Sequence, residues 1–179
     1  MKAAIFDMDG TIMDSMWMWD SDWPRLLQTK SYDDAMEDIH EIYKHHPDIK
    51  PKPYAKEYLE KLKNQGVFLA LATLTDRPLA ESALKRFDLL KYFDFIKTVR
   101  EAGFNKDNAT LYEDCLAASG CFKYEAVVFE DVPYCLKSAH DAGFITCAVR
   151  DNNRKSLAMD SEFIAEYCDM YIKSYKELL

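Results

Sequence analysis

The chain has 179 residues, 49% of them apolar, with 23 basic and 31 acidic side chains and a net charge of −8. That length suits one domain with at most a small insertion, and it can bury a core without disulfide or metal staples. The acidic balance argues against a nucleic-acid or anionic-membrane partner, and a phosphate site would have to be made positive locally.

The first apolar run, Ala3–Phe6, reads as a strand and is too short for a signal-peptide core. It ends on Asp7-Met8-Asp9-Gly10-Thr11. From about Ser15 to Lys52 there is no strand signal. Met16, Trp19, Trp23, Leu26 and Leu27 keep helical spacing, with Pro24 starting or kinking a helix. Ser31 and Asp34 form a capping-box-like start to a second stripe of Tyr32, Ala35, Met36, Ile39, Ile42 and Tyr43. Pro47, Pro51 and Pro53 stiffen the return. The expected organisation is therefore a core of residues 1–14 and 53–179 with a small helical insertion, residues 15–52.

Beyond the insertion, short apolar runs alternate with helical patterns. Val67–Ala72, Phe93–Val99, Ala126–Phe129, Ile145–Val149 and Met170–Ile172 read as strands buried on both faces. Helices are predicted around Tyr54–Leu62, Leu79–Phe87, Leu111–Ala118 and Cys135–Ala139, with glycines 66, 120 and 143 as stops. Repeated strand–helix–strand units imply an α/β fold, a doubly wound and mainly parallel sheet. The five cysteines, without a C-x-x-C pair, predict reduced packing residues in a cytoplasmic protein. No run could span a bilayer.

In such a sheet, ligands bind beyond the carboxyl ends of the strands. Candidates there are Asp7 and Asp9 after the first strand, Thr73 after Val67–Ala72, Lys106 before the Leu111 helix, and Glu130-Asp131 after Ala126–Phe129. Two carboxylates two residues apart can divide the work between nucleophile and proton shuttle. Gly10 permits a turn closing over the site. A hydroxyl and an ammonium can hold a phosphate, and an acidic pair suits Mg²⁺. Thr75 and Asp76 compete to cap the following helix.

In this order the motifs resemble the haloacid dehalogenase (HAD) superfamily. Leu89–Asp94 and Phe129-Glu130-Asp131-Val132 also look like its phosphoglycolate phosphatase and β-phosphoglucomutase branch. The likeness spans roughly residues 1–15 and 53–175. It implies a Rossmann-like core and a small all-α cap, shorter than is usual in the branch. Asp107 stands where the branch usually has proline.

The resemblance implies a Mg²⁺-dependent phosphatase acting through an aspartyl-phosphate, with Asp7 as nucleophile and Asp9 as acid and base. Met8, Gly10, Thr11, Thr73, Leu74 and Lys106 would hold the phosphate. Asp7, the Asp9 carbonyl and Asp131 would hold the metal, with Glu130 bound directly or through water. Trp17, Met18, Trp19 and Trp23 could line a lid, although for Trp19 and Trp23 packing of the insertion's two helices is the preferred reading. A short lid would leave the site open to varied small phosphometabolites such as a sugar phosphate or phosphoglycolate, and a monomer or weak homodimer is expected. A phosphomutase is the nearest alternative. A phospho-receiver module places its acidic pair after strand one instead, and a non-catalytic protein would have lost part of the motif set.

Overall fold

The structure, a computed structural model, describes residues 1–103, 106 and 108–179, with residue 154 described by its backbone alone. Asp107 therefore lies outside the described residues. In chain order the elements are β1 (Ala3–Phe6), β2 (Met13–Asp14), α1 (Trp23–Leu27), α2 (Tyr32–His45), β3 (Lys50–Pro51), α3 (Ala55–Asn64), β4 (Phe68–Thr73), α4 (Arg77–Arg86), β5 (Phe95–Thr98), α5 (Val99–Ala102), α6 (Thr110–Ser119), β6 (Ala126–Glu130), α7 (Pro133–Asp141), β7 (Ile145–Val149), α8 (Arg154–Leu157), α9 (Ser161–Tyr167) and β8 (Met170–Ile172).

Six strands form one parallel sheet in the order β5-β4-β1-β6-β7-β8. The apolar runs are continuous because both faces of the sheet are covered. Ala4, Phe6, Leu69, Leu71, Val127 and Phe129 face one core; Ala3, Ile5, Ala70, Ala72, Ala126 and Val128 face the other. On the first face the Phe6 and Phe129 rings stack at 4.4 Å, with Tyr58 and Tyr175 against them. The register Phe6↔Leu71 and Phe6↔Phe129 brings the ends of β1, β4 and β6 level at one edge.

The insertion differs from expectation in one respect. Residues 50–51 form a strand, β3, antiparallel to β2 in the register Met13↔Pro51 and Asp14↔Lys50. A two-residue strand containing proline is too short to show periodicity, so its pairing is visible only in three dimensions. A π-helical turn, Met18–Asp22, leads into α1, whose first turn takes Pro24. Ser31 Oγ accepts from the Asp34 N–H at the start of α2. The insertion is tied to α4 through Arg86, which donates to the carbonyls of Tyr43 (2.7 Å) and His46 (3.0 Å) at the end of α2. No helix among the described residues is long and apolar enough to cross a membrane.

Candidate active site

Residues 7 and 131 begin where the backbones of β1 and β6 part. The Asp7 N–H still donates to the Phe129 carbonyl (3.0 Å), which brings the two loops together. Carboxylate oxygens of Asp7, Glu130 and Asp131 lie within 4.8 Å of one another, and all three residues are buried. Lys106, 1% exposed, donates to both Asp7 Oδ1 and Glu130 Oε1, the latter at 2.6 Å.

Glu130 has little left to offer. Its Oε1 also accepts from Tyr112 (2.9 Å), and its Oε2 accepts from the N–H groups of Asp131 (3.2 Å) and Val132 (3.4 Å). Asp131 receives Thr11 Oγ1 on Oδ1 (3.2 Å) and Asn153 Nδ2 on Oδ2 (2.7 Å). Thr11, expected at the phosphate, thus serves Asp131 instead.

Burial, opposed by Lys106 and reinforced by the negative charges of Glu130 and Asp9, pushes the Asp7 carboxyl up to about 8. Burial, then the charges of Asp7 and Glu130, raise Asp131 well above the carboxylate range. Burial works against the Lys106 ammonium, but Asp7 and Glu130 outweigh it and hold the lysine protonated. Three buried acids thus surround one buried cation. That deficit, with carboxylate-only donors, fits a hard divalent cation such as Mg²⁺.

Asp9 takes no part in this cluster. Its carboxylate accepts from Ser15 Oγ on one oxygen and Thr75 Oγ1 on the other, each at 2.6 Å. Burial raises its pKa, while the hydrogen bonds from Ser15 and Thr75 hold it down. Thr75 was expected only as a cap. The N-terminal position of α4 belongs to Asp76, whose side chain makes no cap hydrogen bond. Thr73 is fully buried, and its Oγ1 accepts from the Thr75 N–H (3.0 Å), keeping its own hydrogen to donate.

Asp7, Asp9, Lys106 and Glu130 open into a cavity of about 540 Å³. Trp19, Trp23, Tyr32 and Met36 of the insertion and Leu74 and Tyr134 of the sheet edge form its outer wall. Trp19 and Trp23 both line the cavity and pack the insertion: they meet edge to face at 5.7 Å, and Trp19 Nε1 donates to Tyr43 Oη (3.3 Å). Trp17 and Met18 do not line this cavity. Trp17 packs on His46 at 4.9 Å between ring centres, and Met18 is wholly buried in the core. The side chain of Met8 is likewise in the core, so at residue 8 a phosphate could meet the backbone alone.

Gly10 has φ +86°, and a Cβ there would stand 2.6 Å from Asp131 Cγ and 2.7 Å from Met16 Cγ, closer still to Asp131 Oδ2. Gly10→Ala should add left-handed strain of about 1–2 kcal/mol to an overpacking cost of about 1–3 kcal/mol. Urea unfolding would read this as a lowered midpoint.

Residues 24–149 match the family model described as haloacid dehalogenase-like hydrolase. The protein PpaX of Caldanaerobacter subterraneus subsp. tengcongensis, provisionally named a pyrophosphatase, is 32% identical over 128 residues. That alignment covers 72% of this chain and 55% of PpaX, so the chain spans about half the length of that relative. The phosphorylated carbohydrates phosphatase of Thermotoga maritima is 28% identical over 177 residues, covering 80% of this chain and 82% of the relative. A crystal structure from T. maritima, provisionally named a β-phosphoglucomutase, superimposes with a TM-score of 0.78 at 24% identity over 100% of both chains. The chain belongs to the haloacid dehalogenase-like hydrolase family. Its parallel sheet, flanked by helices on both faces, agrees with that membership.

Proposed function

We propose that the protein is a Mg²⁺-dependent phosphatase that hydrolyses a phosphate monoester through a phosphoryl group carried on Asp7. The observation behind this reading is the buried cluster itself: Asp7, Glu130 and Asp131 around Lys106, at the floor of an open cavity. Residues 1–14 and 53–179 would form the catalytic core and residues 15–52 a small helical cap.

Asp7 and Asp131 would hold the metal. The Asp9 carbonyl remains a candidate third ligand, and Glu130 is better suited to fixing Lys106. Mg²⁺ held there would neutralise charge on the phosphoryl oxygens. An Asp7 oxygen attacks phosphorus while the bond to the leaving oxygen breaks, and Asp9 gives that oxygen its proton. Water, losing a proton to Asp9, then attacks phosphorus; the bond to Asp7 breaks and inorganic phosphate departs. Lys106 keeps Asp7 from being repelled by the dianion, and Thr73 has a hydrogen for a phosphoryl oxygen. Ser15 and Thr75 aim Asp9, and one of them must release it when it transfers the proton.

The outer wall bears on the leaving group. Tyr32 and Leu74 are 57% and 49% exposed, so the mouth is wide and apolar. Among the described residues, Asp20, Asp76 and Lys155 are the charged ones lining its outer part, and Asp76 is paired with Arg100 (2.9 Å). With Asp76 paired, Asp20 against Lys155 leaves no surplus positive charge to hold a second phosphate, which favours hydrolysis of monophosphates over the bisphosphate turnover of a mutase.

A panel of phosphate monoesters and bisphosphates tests this. Phosphate release should require Mg²⁺ and stop on adding chelator. Monophosphates with bulky or aromatic alcohols should be preferred over bisphosphates of similar size. Undiminished turnover in chelator, or sugar-phosphate isomerisation faster than phosphate release, would contradict the reading.

A further inference from the structure

Asn153 was not anticipated as a site residue, yet it is buried against two carboxylates. Its Nδ2 donates to Asp131 Oδ2 and to Asp151 Oδ1, both at 2.7 Å. An amide NH₂ has two hydrogens, so both are used. Its Oδ1 accepts from the Ser156 N–H (2.9 Å) and caps α8. With that oxygen on a backbone N–H, the nitrogen has to face the acids. Asp151, 5% exposed, passes the chain onward: its Oδ2 pairs with Lys52 Nζ at 2.6 Å, and Lys52 also donates to the Arg150 carbonyl (3.0 Å).

Lys52 is the residue after β3, the returning strand of the insertion. Its N–H donates to the Ile12 carbonyl (2.8 Å), beside the outgoing strand β2. Thr11, next to Ile12, holds the other oxygen of Asp131, and Tyr175 Oη donates to the Thr11 carbonyl (3.1 Å). Both strands at the base of the insertion therefore end, one through Thr11 and one through Lys52, Asp151 and Asn153, on the two oxygens of one carboxylate.

We propose that Lys52, Asp151 and Asn153 are positioning residues that couple the seating of the 15–52 insertion to cation binding at Asp131. The proposal rests on reading Asp131 as a cation ligand. Groups that hydrogen-bond a metal-ligating carboxylate orient it, and their loss lowers metal affinity by about 10- to 100-fold. Coupling between two sites is reciprocal, so cation binding must also act on the insertion.

The chain provides its own reporter, because its three tryptophans, Trp17, Trp19 and Trp23, all lie in the insertion. The full-length protein, stripped with chelator, would be titrated with MgCl₂ by calorimetry and by tryptophan emission. Asn153→Ser keeps a capping oxygen but cannot reach the acids. Lys52→Met combined with Asp151→Asn removes both charges of the buried pair and leaves none unpaired. In the wild type, Mg²⁺ should bind and change the emission. Asn153→Ser should raise the Mg²⁺ midpoint about 10- to 100-fold. The double variant should raise it by a smaller factor and shrink the emission change, with its melting temperature in chelator near that of the wild type.

Wild-type midpoints in both variants would overturn the proposal, and if Asn153→Ser does not fold, the double variant alone decides. A shifted midpoint with no Mg²⁺-dependent emission in the wild type would overturn the coupling. Absence of any Mg²⁺ binding to the wild type would remove the cation reading and the proposal with it, an outcome separate from the other two.

Discussion

Asp7→Asn should abolish phosphate release, lowering kcat by about 10⁴-fold or more, with the fold intact. The amide keeps an oxygen for Lys106, so the hydrogen bond to Nζ can persist. What is lost is the anionic oxygen that attacks phosphorus. The substitution also replaces a carboxyl that burial already pushes toward its neutral form by a neutral amide, in a cluster with three buried acids and one buried cation. Stability in chelator should therefore hold or rise. Retained turnover in the purified variant would refute the assignment of Asp7, and loss of turnover accompanied by unfolding would leave circular dichroism to report it.

Lys106→Met carries the second large effect, and here stability and activity should fall together. The ammonium is 1% exposed and holds Asp7 and Glu130. Without it three buried acids have no buried counter-charge among the described residues, and breaking such a pair costs about 3–5 kcal/mol. Burial already pushes Asp7 and Asp131 toward the neutral form, so part of that cost is relieved by proton uptake. The expected result is a loss nearer about 3 kcal/mol by urea unfolding in chelator at neutral pH. Saturating Mg²⁺ should return part of it, because a ligand that binds only the folded state stabilises that state. Turnover should drop by about 10²- to 10³-fold, the usual effect of removing one charge-stabilising donor. A variant as stable as the wild type would mean that Lys106 is not the counter-charge of the cluster.

What could be read from the sequence follows from burial and chain order. Strands covered on both faces are continuous apolar runs, so β1, β4, β6, β7 and β8 were visible within a residue or so. The site acids were visible because each follows such a run. Four features were not. Thr75 competes on paper with Thr73 and Asp76, and only the turn after β4 sends its hydroxyl to Asp9 rather than to the helix start. Thr11 sits in the motif but turns to Asp131, a partner 120 residues away. The chain from Lys52 to Asp131 joins residues 99 and 22 positions apart, and a lone lysine, aspartate and asparagine carry no periodic signal. β3 escaped for a related reason, since two residues cannot alternate.

A crystal structure of the Mg²⁺-loaded protein with beryllium trifluoride would show whether Asp7 carries the phosphoryl group beside a cation held by Asp131. The fluoride mimic should be bonded to an Asp7 oxygen, with Lys106 and Thr73 within hydrogen-bond reach of its fluorines and Mg²⁺ touching both Asp7 and Asp131. A mimic bonded to any other side chain, or a cation that leaves Asp131 untouched, would contradict the proposed mechanism.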